Sequence, residues 1–366
     1  MQIGIITFHF GANFGALLQA YALCNAVESL GHSVKIIDFI PERYAKDASL
    51  IGTIRNGIVS VLNYKNRQIK RKRIATFREQ HFKLTDRRYT TVEDINNNPP
   101  VFDAYICGSD QIWNPELFGV LSPYFLDFVP NADSMKLSYA ASFGGEFLDA
   151  SYKYLIGQYV RRIQYISVRE TTGIDIVREV AGREATQVMD PVFLIAPHEW
   201  EALLGHPFSG PSEYILLYTM ETNNYQLLES VRYLAERCHM QVIHLSWGIR
   251  KRQGIDYIIN NAGPLEFIEL IKNASYVCTN SFHGAAFSII FNKPFLVVPH
   301  KSRNIRIVSL LEKLELTSQM VTDNHSLYQL VERNLEYDTN KATRLIHNAI
   351  DSSFDFLQTT VGVSRN

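Results

Sequence analysis

Residues 2–8 read QIGIITF, a continuous apolar run of strand length, and the loop, helix and second strand behind them constrain the fold more than any other feature of the chain. The loop HFGANFGA, rich in Gly and Asn, leads into residues 16–30, where Leu17, Ala20, Tyr21, Leu23, Cys24 and Val27 recur on one face at helical spacing. Gly31 stands where a helix ends in a left-handed residue, and SVKIIDFI supplies a second strand ending near Asp38. A strand apolar on both faces, a helix and another such strand make a βαβ unit. That unit requires a parallel sheet covered by helices.

The alternation returns along the chain. VFDAYICGSDQIW opens with a strand at 101–107, and KLSYAASFG, YISVRE and ATQVMDPVF each set polar residues behind a short apolar run. Residues 44–98 interrupt the pattern: they are basic and mostly helical, centred on KNRQIKRKRIATFREQHFKL and closed by NNNPP. A second interruption at 195–213, with three prolines and two glycines, marks a domain boundary. Beyond it YILLYT, MQVIHLS, YVCT and FLVVP read as strands, separated by helical stretches that include GPLEFIELIKNA, with Pro264 in its first turn, and 284–292. The expectation is an α/β protein of two Rossmann-like, doubly wound domains. The first spans 1–195 with a basic helical insertion at about 44–98, the second spans 196–340, and a helix at 341–366 is free to pack back on the first. A length of 366 residues exceeds one ordinary core and agrees with two.

Composition excludes several classes. The net charge of −1 gives no bulk attraction to nucleic acid or to an anionic membrane, although a local basic patch is compatible with it. Cys24, Cys107, Cys238 and Cys278 form no CxxC pair, and no His/Cys cluster has zinc-ligand spacing, so reduced thiols, a cytoplasmic setting and no metal are expected. The N-terminus lacks a basic region before a long apolar stretch, and no run reaches the roughly 20 apolar residues of a membrane span.

In open parallel sheets, ligands bind beyond the carboxyl ends of the strands. There the first strand delivers Asn13 and Gly15, the strand at 101–107 delivers Ser109, Asp110 and Gln111, and YISVRE delivers Arg169 and Glu170. In the second half YVCT delivers Asn280, Ser281 and His283. Two sheets with facing strand ends would enclose a cleft. HFGANFGA reads equally as an anion-binding turn at a helix N-terminus or as a turn needing glycine conformations; it lacks GxGxxG, which argues against a nicotinamide site beside Asp38. In TNSFHG, His283 suits acid/base work and Asn280 and Ser281 can donate hydrogen bonds, with Gly284 opening the helix behind them; the structural alternative is Ser281 as a helix cap. In PHKSRNIRI, Lys301, Arg303 and Arg306 follow a strand and oppose the macrodipole of the helix they begin, which favours an anionic ligand over a purely structural role. Arg169 beside Glu170 reads either as a further cation of the site or as a surface salt bridge. The basic helix at 65–78 reads first as a solvated face and second as a surface for an anionic carrier lipid or a sugar phosphate.

The stretch NFGALLQAYALCNAVESLGHSVKIIDF resembles the opening block of the polysaccharide pyruvyl transferase family. CGSDQIWNP (107–115), YAASFG (139–144), SVRE (167–170), MDPVFL (189–194), TNSFHGAAFSIIFNKPF (279–295) and NIRIVSLL (304–311) resemble its later blocks in the same order. The resemblance covers about 1–315. It implies a GT-B-like fold with two domains facing across a cleft. The implied reaction is transfer of the enolpyruvyl group of phosphoenolpyruvate to saccharide hydroxyls, forming a pyruvate ketal and releasing phosphate, with no metal or nucleotide cofactor. It assigns the reaction to His283 and Arg169, with one of Lys301, Arg303 and Arg306 as a further cation, and it sets Asn13, Gly15, Ser109, Asp110, Gln111, Trp113, Asn280, Ser281 and Gly284 along the substrates. Trp113 would stack on a sugar ring or else act as a structural wedge. The implied partners are phosphoenolpyruvate and a saccharide acceptor, free or lipid-linked, with no nucleic acid. The implied place is the cytoplasm, compatible with the inner face of a membrane. Two other readings share the fold: a glycosyltransferase using a sugar nucleotide, and a saccharide- or anion-binding protein without catalysis.

Overall fold

The computed structural model describes residues 1–42, 57–130, 134–205, 210–219, 224–246, 248, 252–299 and 305–362. Its strands are β1 (Gln2–Ile6), β2 (Ser33–Ile36), β3 (Ala104–Cys107), β4 (Met135–Ser138), β5 (Ser167–Val168), β6 (Thr186–Gln187), β7 (Tyr214–Tyr218), β8 (Gln241–Leu245), β9 (Tyr257–Ile259), β10 (Tyr276–Thr279) and β11 (Phe295–Val297). The longer helices are α1 (Phe14–Ser29), α2 (Gly57–His81), α3 (Ala150–Val160), α4 (Thr171–Ala181), α5 (Tyr225–Cys238), α6 (Pro264–Asn273), α7 (Phe282–Ile290), α8 (Ile305–Lys313), α9 (Asn324–Glu332) and α10 (Thr339–Val361). The chain divides into two compact units, one of Met1–Arg55, Arg78–Ile195 and His347–Asn366, the other of Asn56–Phe77 and Ala196–Ile346.

In the first unit a parallel sheet runs in the order β2-β1-β3-β4, with Ile5 opposite Ile36 and Ile106. Alternate residues feed two cores. Ile3, Ile5, Val34, Ala104, Ile106 and Leu137 meet Leu23 and Val27 of α1 on one face, while Ile6, Tyr105 and Cys107 meet Trp113, Phe125, Val168 and Ile176 on the other. This two-sided burial is why the strands carry unbroken apolar runs. Leu17, Leu18, Leu23 and Val27 of α1 are fully buried, each contributing about 1.5–3 kcal/mol of transfer free energy. Asn13 caps the start of α1 and Gly31, at φ +85°, ends it, as the helix-stop pattern predicts.

The second unit holds a parallel sheet of order β11-β10-β7-β8-β9. The sequence pattern does not mark its edge strand β9, which is short and only partly buried. Ile215, Leu217, Val242, Cys278 and Leu296 line one face against Leu227, Val231 and Leu234 of α5.

The basic insertion assigned to the first half is divided between the units. Residues 43–56 lie outside the described residues, and Asn56–Phe77 belong to the second unit. The reason is a set of polar anchors on the inward face of α2. Arg73 Nε pairs with Glu266 at 2.8 Å, Arg73 Nη1 donates to the Asn261 carbonyl at 2.9 Å, and Asn66 Nδ2 donates to Asn260 Oδ1 at 2.7 Å. Gly263 admits this approach, since a Cβ there would lie 2.6 Å from Arg73 Cβ.

Candidate functional site

Each of the two larger sheets reverses its strand order at one place, and there many of the sequence candidates gather. In the first unit this is the carboxyl end of β1 beside β3, the position where open sheets hold ligands. Gln19 of α1 ties the two strand ends together. Its Nε2 donates to Thr7 Oγ1 at 3.0 Å and to the Phe8 carbonyl at 3.2 Å, and its Oε1 accepts from Ser109 N at 3.2 Å. Thr7 Oγ1 in turn donates to the Ser109 carbonyl at 3.0 Å. Gly108, at φ +127°, allows no side chain, because a Cβ would sit 2.1 Å from the Tyr139 carbonyl oxygen.

Behind this turn lies a buried ionic network. Arg169 Nη1 contacts Asp190 Oδ2 at 2.6 Å and Nη2 lies 3.5 Å from Asp110 Oδ1, while Ser109 Oγ donates to Asp190 Oδ2 at 3.3 Å. Burial alone would lower the Arg169 pKa, but the charges of Asp190, Asp110 and Glu170 outweigh it and hold the guanidinium above the ordinary arginine value. Arg169 is 5% exposed. It is a counter-ion for carboxylates that shape the Ser109–Asp110 turn, and not a cation open to solvent. Glu170 departs from the surface salt bridge read from sequence. It is fully buried, and its Oε1 accepts from Ser142 Oγ at 2.9 Å, Phe143 N at 2.8 Å and Gly144 N at 3.2 Å.

Other candidates have structural tasks. Trp113, placed along the substrates by the resemblance, is 1% exposed, donates its indole N–H to the Tyr124 carbonyl at 3.0 Å and stacks on Phe125. It is the wedge and not a sugar platform, because the apolar core has already taken its face. Asn13 Oδ1 accepts from Gly15 N at 3.0 Å and Ala16 N at 3.4 Å, so the anion-binding alternative for this turn competes with a side-chain cap. Gln111 Oε1 accepts from Asn114 Nδ2 at 3.0 Å, beneath Gly144. Asp38 meets His9 Nε2 at 3.0 Å and Arg88 Nε at 2.8 Å. Burial raises the Asp38 carboxyl, but those hydrogen bonds outweigh it and leave the pKa below the ordinary value.

In the second unit the strand order reverses between β7 and β10, and TNSFHG occupies that point. Thr279 Oγ1 donates to the Tyr218 carbonyl at 2.7 Å and accepts from Ser281 N at 3.0 Å, locking the strand end. Ser281 caps α7, its Oγ accepting from Gly284 N at 3.4 Å, and also hydrogen-bonds the Tyr218 hydroxyl, whose pKa burial pushes up. The helix therefore begins at Phe282, not near Gly284, and His283 stands in its first turn at 5% exposure. Gly284 is required there: a Cβ would fall 2.4 Å from Thr279 Oγ1. Asn280 and Ser281 are buried with His283. Arg306 opens α8 in a half-buried position, while Lys301 and Arg303 lie outside the described residues.

His244, next to last in β8, belongs to no motif of the sequence. It is buried, and among the described residues neither ring nitrogen has a hydrogen-bond partner. Burial, with a smaller effect from Arg252, pulls its pKa down to about 4. The neutral ring is thus the folded form, and protonation near the unfolded value of about 6.5 favours unfolding. The stability at stake is fully present above about pH 6.5 and is lost as pH falls toward 4, a change of about 3 kcal/mol. Urea midpoints of wild type and His244→Leu at pH 7 and pH 4.5 should show a flatter pH response in the variant; parallel loss in both would refute this assignment.

Among the described residues no group of three or more His, Cys, Asp or Glu could hold a metal ion, and no helix is long and apolar enough to cross a membrane. The sequence signals for the unforeseen residues are faint. Gln19 is a lone polar residue within the apolar LLQAYAL, and Asp190 precedes a proline.

Solved structures share the fold along the whole chain. Arabidopsis thaliana UGT89C1, solved with quercetin, has 12% identity and a TM-score of 0.55, covering 99% of this chain and 98% of its own. A putative UDP-N-acetylglucosamine 2-epimerase from Listeria monocytogenes has 12% identity and a TM-score of 0.55, covering 98% and 94%. The UDP-GlcNAc 2-epimerase of Neisseria meningitidis, bound to UDP-GlcNAc, has 9% identity and a TM-score of 0.53, covering 98% and 100%. The fold class is thus GT-B-like, with two Rossmann-like units. No curated protein matches the chain. The family model described as polysaccharide pyruvyl transferase matches residues 13–302, and the chain belongs to that family.

Proposed function

We propose that this protein transfers the enolpyruvyl group of phosphoenolpyruvate to hydroxyls of a saccharide, giving a pyruvate ketal and inorganic phosphate. The observation that carries the reading is the strand end of β10. A buried histidine stands in the first turn of a capped helix, at the point where the strand order reverses, beside Asn280 and Ser281. His283 gives the proton that C3 of the donor gains. One sugar oxygen bonds to C2 and sheds its proton, the C2–O bond to phosphate breaks, and a second sugar oxygen closes the ketal. Of the two hydroxyl protons released, one balances the proton at C3 and the other leaves with phosphate. The N-terminal end of α7, with its macrodipole, favours the donor's negative charge. Arg306, with Lys301 and Arg303 of the same segment, supplies cations for phosphate and carboxylate. Arg169 acts through the Ser109–Asp110 turn, holding its shape with Asp190.

The test is phosphate release from phosphoenolpyruvate across free and lipid-linked saccharides, with the product's ketal carbon followed by NMR. Release that depends on a saccharide supports the reading. Turnover of a sugar nucleotide with none of phosphoenolpyruvate would replace it with the glycosyltransferase reading.

A further inference from the structure

Many cations at the surface of this protein have a carboxylate partner. Lys35 pairs with Asp86, Lys83 with Glu28, Arg87 with Asp94, Lys153 with Glu179, and Arg178 with both Asp175 and Glu184. Single exposed cations without an ion pair among the described residues occur elsewhere, as at Arg161, Arg237, Arg333 and Arg344, but the outer face of α2 gathers four within eight positions. Lys65, Arg67, Arg71 and Lys72 are all exposed, and among the described residues none of them has an ion pair. No acidic residue occurs between Tyr64 and Arg78. Arg67 and Arg71 stand four apart, a like-charge spacing that disfavours a helix. The inner face of the same helix holds no such surplus in the open. Arg73 is committed to Glu266, and Lys70 is buried, where burial pulls its ammonium down to about 8. The helix is therefore anchored through one face and presents uncompensated positive charge on the other.

We propose that this face of α2 docks the protein on an anionic lipid bilayer. A cluster of four or more Lys/Arg on one helix face is the arrangement that anionic headgroups attract, and each cation near such a surface adds to binding. Tyr64, 63% exposed beside the cluster, is a residue type that settles at the membrane–water interface. The overall charge of −1 provides no long-range pull toward polyanions, so attraction is confined to this patch, and the interfacial tyrosine beside it is what favours a lipid surface. The proposal stands on the charge pattern and is independent of the reaction assigned above.

The experiment is co-sedimentation of the full-length protein with vesicles of phosphatidylcholine, with and without phosphatidylglycerol. The expected result is binding to the anionic vesicles alone, lost when salt near 1 M shortens the Debye length to about 3 Å. A variant carrying Lys65→Gln, Arg67→Gln, Arg71→Gln and Lys72→Gln should lose about 100-fold in affinity or more. Its melting temperature checks that these exposed changes leave the fold intact. Equal binding to neutral vesicles, or unchanged binding by the variant, would overturn the proposal. So would retention on polynucleotide with no vesicle binding.

Discussion

Replacing His283 with glutamine should lower the turnover of pyruvyl transfer by about 10²–10⁴-fold, the range expected when a positioned acid/base group is removed. The substitution keeps a polar side chain of similar reach in the first turn of α7 and leaves the cap from Ser281 and the Thr279–Tyr218 lock untouched. The fold should therefore survive, and phosphoenolpyruvate should bind with little change in KM, since in the proposed reaction its charge is met by groups other than His283. Steady-state phosphate release, with donor binding measured separately by calorimetry, separates these effects. A variant within tenfold of wild type would remove His283 from the chemistry. A large rise in KM with unchanged kcat would make it a binding residue.

The second large effect concerns stability. Arg169→Met should destabilise the first unit by about 3–5 kcal/mol, because it leaves buried carboxylates without their counter-ion. Asp190 is 1% exposed and Asp110 is 4% exposed, so water cannot take over from the guanidinium. Adding Asp190→Asn should restore part of the loss, and the double-mutant cycle in urea isolates that coupling. If Arg169→Met were as stable as wild type yet inactive, the arginine would act on substrate directly and not through the Ser109–Asp110 turn. Activity lost in the single variant and regained with stability in the pair would mark the network as scaffold.

Much of the fold is legible because parallel strands buried on both faces leave a plain record. IGII, AYIC and ILLY are apolar without interruption, and the turns after them carry the glycines and capping residues that the geometry demands. The strand-end residues are legible for the same reason: Ser109, Asp110, Asn280, Ser281 and His283 stand where an apolar run stops. What those side chains do is harder to read, because it depends on partners far off in the chain. Trp113 finds Phe125, Arg169 finds Asp190 and Glu170 finds the 142–144 turn only after folding. His244 leaves no pattern in the sequence, as an imidazole in a strand looks the same whether or not its nitrogens are met.

The last helix has a consequence for how the chain is made. Leu357 and Val361 of α10 fill the core beside Ile3, Ile5 and Leu23, and Ser353 Oγ accepts from Met189 N at 2.9 Å. During synthesis the residues of β1 leave the ribosome well before those of α10, and the core they share stays incomplete until the final turns of α10 emerge. Domains of many proteins complete themselves in order of emergence. Here α1 covers part of the sheet face early, but the portion that Leu357 and Val361 close must wait while the intervening unit is translated.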